Sequence, residues 1–95
     1  MKYAITGPNA KNLIHGQQAV TTAAVALPAN LLVNGLFVKN PAESSQTVYV
    51  GKSGVTTATG YPLAPGESVH IPVDNTNLVF VVAGATGSTV AYLGN

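Results

Sequence analysis

Short runs in which apolar and polar residues alternate recur along most of the chain, and turn-forming residues separate them. In residues 67–73, for example, Val69, Ile71 and Val73 fall on one side and the intervening residues fall on the other. A period of two indicates a β-strand with one buried face. The pattern predicts strands at residues 19–27, 35–41, 46–51, 67–73, 77–84 and 88–94.

Three of these predicted strands carry further information. Residues 77–84 are apolar on both faces, which is typical of a central strand covered on both sides. Pro72 has no N–H group to give to a hydrogen-bond ladder, so its strand is expected at a sheet edge or at a bulge. Residues 19–27 are rich in alanine, but their β-branched valines and threonines disfavour a helix.

Six or seven short strands, turn signals about every ten residues and the lack of a convincing helix pattern predict an all-β fold. We expect a single antiparallel β-sandwich of the jelly-roll or immunoglobulin-like type, with a barrel as the related architecture. Residues 1–16 show no lasting period and are interrupted at Gly7, Pro8 and Asn9. They are predicted to form an extended N-terminal arm, and residues 17–95 the sandwich domain.

Charged residues are unusually rare, and this narrows the classes of partner. The 95 residues make one small domain, without cysteine, in which 7% of residues are charged and the net charge is +1. A typical soluble domain has about 25% charged residues. The sequence lacks the clustered Lys and Arg that nucleic acids or anionic membranes require. So few charges favour a subunit that is docked in an assembly. The apolar run at the start is broken at Thr6, Gly7 and Pro8, so the chain is expected to be made in the host cytoplasm without a signal peptide.

No arrangement of residues predicts catalysis, and the function class is expected not to be an enzyme. Ser68, His70 and Asp74 suggest a hydrolytic triad, but Ser68 and His70 lie two apart on one strand, without a nucleophile elbow. Residues 84–89 lack the lysine and the following helix of a phosphate loop and are predicted to be a hairpin turn. The two histidines and three carboxylates are scattered, so neither a metal nor a cofactor is predicted: His15, His70, Glu43, Glu67 and Asp74.

The candidate functional residues are apolar side chains in the predicted loops and the arm. Tyr61 and Leu63 lie in a segment flanked by prolines, and Leu31 and Leu32 adjoin between strands. Each pair either covers the core of this domain or contacts a partner, and Tyr61 could also stack on a sugar. The candidate partner interface consists of Tyr3, Ile5, Leu31, Leu32, Tyr61 and Leu63.

The second half of the chain carries a resemblance to a known group of proteins. Residues 47–94 read TVYVGKSGVTTATGYPLAPGESVHIPVDNTNLVFVVAGATGSTVAYLG. The order of Tyr-Val-Gly, Ser-Gly-Val-Thr-Thr, Gly-Tyr-Pro-Leu, Pro-Gly-Glu and a final Val-x-Tyr-Leu resembles a module of small virion structural proteins of tailed bacteriophages. That resemblance implies a β-sandwich on the virion surface, as a capsid decoration (cement) protein, a head-fibre base or a tail accessory protein. Such proteins are commonly homotrimeric, contact the major capsid protein and have no catalytic residues.

The expected function is therefore structural. The resemblance implies a virion protein on the capsid surface that stabilises a phage capsid by binding between major capsid protein subunits. The arm could add a strand to an exposed sheet edge in such a contact. The alternative is a carbohydrate- or host-surface-binding β-sandwich module of a phage head or tail fibre.

Overall fold

The structure, a computed structural model, describes residues 11–95 and contains two four-stranded antiparallel sheets. The prediction of an all-β chain is confirmed, and within residues 11–95 the only helical element is one 3-10 turn at Thr76–Leu78. The strands are β1 (Ile14–Val20), β2 (Val25–Ala26), β3 (Leu36–Lys39), β4 (Val48–Gly51), β5 (Tyr61–Leu63), β6 (Ser68–Ile71), β7 (Phe80–Ala83) and β8 (Ser88–Gly94).

Strand order follows a nested pattern. The first sheet has the order β1-β8-β3-β6 and the second has the order β2-β7-β4-β5. The first strand therefore pairs with the eighth, the second with the seventh, the third with the sixth and the fourth with the fifth. Each connection between consecutive strands, except β4–β5, passes from one sheet to the other.

The two sheets share one hydrophobic core, which gives the molecule a sandwich-like arrangement. On β3, Leu36 and Val38 are buried while Phe37 and Lys39 are exposed, as a period of two requires. The same cluster contains buried side chains of both sheets and their loops, among them Val20, Leu27, Leu36, Val38, Val48, Leu63, Val81 and Val90. Each such side chain contributes about 1.5–3 kcal/mol to folding through removal of apolar surface from water.

The first strand begins three residues before residue 17, the predicted start of the sandwich domain. β1 begins at Ile14, and its first residues pair with the end of β8, with Ile14 opposite Gly94 and Gly16 opposite Tyr92. At Gly16 a Cβ atom would lie 2.5 Å from the Tyr92 hydroxyl oxygen, so the ring lies against the bare glycine backbone. Gly16 interrupts the apolar pattern for this reason and lies inside a strand. Residues 1–10 lie outside the described part of the chain.

The single strand predicted at residues 19–27 is divided between the two sheets. β1 ends at Val20 and β2 begins at Val25. Between them the Thr21 hydroxyl donates to the Ala23 carbonyl at 3.1 Å and accepts from the Ala23 N–H at 3.2 Å. These local bonds turn the backbone away from an extended course, which is why a β-branched run does not continue as one strand.

Other predictions had mixed outcomes. Of the strand predicted at residues 77–84, residues 80–83 form β7, which has a neighbour on each side as predicted, whereas Asn77 and Leu78 lie in the 3-10 turn. β6 is an edge strand that ends before Pro72. Residues 84–87 do not form a hairpin turn, because β7 and β8 belong to different sheets. Tyr61–Leu63, predicted as a loop, forms β5 against β4.

A buried asparagine holds the connection between β3 and β5. Asn40 is fully buried, and its side-chain amide donates to the carbonyls of Gln46 at 2.9 Å and Leu63 at 2.8 Å. Its own N–H donates to the Glu67 carbonyl at 2.9 Å, and its carbonyl accepts from Gly66 at 2.7 Å. Asn40 therefore fixes the turn that leads from β5 into β6.

Candidate functional site

An apolar groove opens between β5 and β6, which are edge strands of the two sheets. Its volume is about 300 Å³. Lys52 is the charged residue on its rim, and the apolar lining consists of Val50, Val69, Ile71, Val73, Leu78 and Val79. Val69, Ile71 and Val73 are half-buried and pack against the core cluster. The groove is thus a continuation of the core that is open to solvent.

Tyr61 and Leu63 have different positions on the same face of β5. Leu63 lies opposite Val48 and is 1% exposed, so it belongs to the core. Tyr61 lies opposite Val50, is 60% exposed and lines the groove. Leu63 is therefore not an accessible interface residue, because it packs in the core shared by the two sheets. Tyr61 lies at the edge of the core, where the groove opens to solvent.

The two adjacent leucines of the β2–β3 loop also differ in their exposure to solvent. Leu32 is 6% exposed and belongs to the core cluster, so it is not an accessible interface residue. Leu31 is 84% exposed, although its backbone is held by a bridge to Asn75. The Asn75 side-chain oxygen accepts from the N–H groups of Asn30 and Asn77, each at 3.1 Å. Leu31 is consequently an exposed apolar side chain on a loop fixed by hydrogen bonds.

The outer face of the first sheet carries an apolar row that the sequence analysis missed. The register places His15 opposite Leu93, Leu93 opposite Phe37, and Phe37 opposite His70. Phe37 is 51% exposed and Leu93 is 46% exposed. Leu13, also exposed, lines a shallow pocket with these two side chains. We call Leu13, Phe37, Leu93 and the flanking His15 and His70 the outer-face row.

The next row of the same face is almost uncharged. It runs through Gln17, Ala91, Lys39 and Ser68, in that order across the four strands. Lys39 is the one formally charged residue among these outward positions of the two rows. The two rows therefore combine two large apolar side chains with histidine, glutamine, alanine and serine and a single lysine, and a low charge is typical of the core of a protein interface.

The residues considered for catalysis make other contacts. The His70 ring contacts the Phe37 ring at a tilt, and its Nε2 atom lies 3.3 Å from the Asn34 carbonyl oxygen. Within residues 11–95, no group of three or more His, Cys, Asp and Glu side chains is placed to hold a metal ion. In that same part of the chain, no helix is long and apolar enough to cross a membrane.

The remaining sequence candidates are Tyr3 and Ile5, which lie outside the described residues. The signal for Phe37 and Leu93 was present in the sequence as apolar residues on the polar side of an alternating strand, in LFVK and VAYLG. A single apolar residue at such a position is common on protein surfaces. Only the register, which places the two side by side, makes them a patch.

Comparison with known proteins gives little further information. No known protein family matches the sequence, and no curated protein matches it. A solved structure with a similar chain course comes from Bacillus endospore appendages, described as a novel family of disulfide-linked pili. The match covers 100% of this chain and 98% of that one, at 14% sequence identity and a TM-score of 0.44. Similarity at this level assigns neither a fold family nor a function.

Proposed function

We propose that this chain is a structural subunit that binds the surface of another protein through the outer face of its first sheet. The observation that carries the proposal is the adjacent pair Phe37 and Leu93, which are about half exposed on the two central strands of a nearly uncharged face. Large apolar side chains surrounded by small polar ones are typical of the central contacts of protein interfaces. The subunit acts by binding, without catalysis.

The partner that fits this face is a protein. Nucleic acid binding depends on clustered Lys and Arg, whereas the two rows of this face contain only Lys39 as a charged residue. The chain as a whole has four Lys and Arg against three Asp and Glu. A neutral, partly apolar face gains its binding free energy from burial against a complementary protein surface.

The specific assembly that we propose is a phage capsid. The resemblance of residues 47–94 to virion proteins supports a decoration protein that binds between major capsid protein subunits as a homo-oligomer, with a trimer favoured. We further propose that the two sheets form a jelly roll, in which eight strands are wound into two sheets by two Greek keys. The nested pairing of first with eighth and second with seventh strand supports that assignment. Capsid proteins use this architecture, although fold alone does not establish function.

Cosedimentation tests the proposal. Capsids of the phage that encodes the chain, prepared without it, should retain the purified chain in the pellet. A Phe37→Glu/Leu93→Glu variant should lose retention, because two carboxylates would be buried in the interface. The matched control, Ser53→Glu/Thr57→Glu, adds the same charge to exposed positions of the β4–β5 loop in the other sheet and should be retained like the parent. Equal retention of the parent and the Phe37→Glu/Leu93→Glu variant would contradict the proposal.

Tyr61 supports a second candidate, a module that binds carbohydrate. Its exposed ring lies beside an apolar groove, a position suited to stacking on the apolar face of a sugar. Under this alternative, Tyr61→Ala abolishes binding to host surface glycans and leaves capsid retention unchanged. A glycan array with both proteins distinguishes the two candidates.

A further inference from the structure

We infer that residues 1–6 of a second copy of this chain bind along β6 and place Tyr3 and Ile5 in the groove between the sheets. This inference rests on the proposed function in one respect, the homo-oligomer, and assigns the contact that forms it. The binding mode is addition of an antiparallel strand to a sheet edge, in which the backbone supplies hydrogen bonds and alternate side chains fill a pocket.

The groove has the chemistry and size for two large apolar side chains. Its lining is valine, isoleucine and leucine from both sheets, with Tyr61 at the rim. A dry apolar cavity of about 150 Å³ accepts one benzene ring. The groove, at about 300 Å³, has room for roughly two side chains of that size.

β6 is the edge at this groove that can accept a strand. β6 pairs with β3 on one side only, and its four residues are Ser68, Val69, His70 and Ile71, without charge or proline. β5 is the neighbouring edge of the other sheet and contains Pro62, which lacks an N–H group. Proline and charge are the usual protections of a sheet edge against pairing, and β6 lacks both.

Residues 1–6 have the pattern that this edge requires. Their sequence MKYAIT alternates, with Met1, Tyr3 and Ile5 on one side and Lys2, Ala4 and Thr6 on the other. Antiparallel pairing of Tyr3 with Ile71 places Ile5 beside Val69. Val69 and Ile71 line the groove, so the apolar side of the segment would face it and the polar side would face solvent.

Chain length favours a second copy over the same copy. Ile14 and Ile71 lie at the same end of the first sheet, because both align with Gly94 and Leu36. A segment antiparallel to β6 ends at the opposite end, so Thr6 would lie four strand spacings and about three residues from Ile14. That is about 22 Å in a straight line, against about 26–29 Å for eight fully extended steps. The same-copy route has little slack for a path over the sheet surface, although it includes Gly-Pro-Asn, and it would cross Phe37 and Leu93, which are exposed.

The resulting contact is heterologous: each copy gives its segment to one neighbour and accepts a segment from another. Contacts of this kind close into rings or continue as fibres. A closed ring of three would be the trimer that we propose, with every β6 edge covered.

Paired charge variants of the full chain test the inference by sedimentation velocity over a concentration series. Tyr3→Asp/Ile5→Asp should weaken self-association by about 100-fold or more, because each apolar side chain removed from a buried site costs roughly tenfold or more. The control, Ala4→Asp/Thr6→Asp, adds the same charge on the other side and should leave association within about threefold. A parent that is monomeric throughout the series, or equal effects of the two variants, would overturn the inference.

Disulfide trapping then identifies the contact, since the chain has no cysteine of its own. Mixing the Ile5→Cys and Val69→Cys variants should give a disulfide-linked pair, and Thr6→Cys with Val69→Cys should give much less. A chain carrying both Ile5→Cys and Val69→Cys that closes its disulfide only within one copy would overturn the assignment to a second copy. Absence of cross-linking in all mixtures would overturn the contact itself.

The two proposals can fail separately. A monomeric chain that is retained by capsids through Phe37 and Leu93 would contradict this inference and the proposed homo-oligomer, and would leave the proposed capsid binding intact. A chain that associates through residues 1–6 but is retained equally with Phe37→Glu/Leu93→Glu would contradict only the proposed function.

Discussion

The rings of Phe37 and His70 lie side by side across β3 and β6, with centroids 4.6 Å apart and planes inclined by 34°. The Nε2 atom of His70 also lies 3.3 Å from the carbonyl oxygen of Asn34. Phe37 is therefore presented to solvent in an orientation that its neighbour fixes. A prearranged aromatic side chain loses little conformational entropy when it enters an interface.

A double-mutant cycle should detect this contact. We expect Phe37→Leu and His70→Ala to show a coupling free energy of about 0.5–1 kcal/mol, because aromatic pairs contribute about that much beyond the area that they bury. Urea unfolding of the parent, both single variants and the double variant gives the coupling. Strict additivity would show that the two rings are adjacent without stabilising each other.

The adjacent leucines provide a second prediction. Leu32→Ala should lower the free energy of unfolding by about 2–4 kcal/mol, because it opens a cavity in the core. Leu31→Ala should change it by less than about 0.5 kcal/mol, since its side chain is exposed. Chemical denaturation gives the free energy of unfolding of each variant. The two variants are matched because both change a leucine in the same loop. Similar losses in both would mean that Leu31 packs against the protein after all.

The strands that the sequence could predict are those in which one face is buried and the other is not. β3, β4, β6 and β8 alternate in this way, and β7 is apolar throughout, so the apolar pattern alone identifies these strands. β5 was missed because Pro62 is typical of loops, and only its edge position permits it there. The break between β1 and β2 depends on the local hydrogen bonds of Thr21, which leave no mark on the apolar pattern.

Less of the candidate site could be predicted from the sequence. Tyr61 and Leu63 are both apolar positions two apart, and the sequence could not say which of them reaches the core. Their difference arises because β5 extends past the end of the packed core at Tyr61. Phe37 and Leu93 are far apart in sequence and become neighbours only through the β3–β8 register. Contacts of that kind follow from strand order, which periodicity does not specify.

A glycine inside β1 leads to a third prediction. Gly16→Ala should destabilise the protein by about 1–3 kcal/mol, because the new Cβ would lie 2.5 Å from the Tyr92 hydroxyl oxygen and 2.8 Å from the adjoining ring carbon. Gly84→Ala is the control, since a Cβ there meets nothing within 4 Å. Thermal unfolding of both variants measures the difference. If Gly16→Ala is as stable as the parent, the Tyr92 ring can move away from β1 at little cost.

The last prediction concerns the buried amide of Asn40. Asn40→Asp should destabilise the protein by about 3–5 kcal/mol at neutral pH. The substitution removes both donors to the carbonyls of Gln46 and Leu63 and buries a negative charge against those oxygens. Asn77→Asp, the same change at an exposed position of the 3-10 turn, should alter stability by less than about 0.5 kcal/mol. Urea unfolding of the two variants gives the values, and hydrogen exchange at Gly66 and Glu67 locates the loss. Asn40 fixes the turn into β6, so faster hydrogen exchange at Gly66 and Glu67 should accompany weaker binding of residues 1–6 to β6. Unchanged exchange at these two residues would show that pairing with β3 alone positions β6.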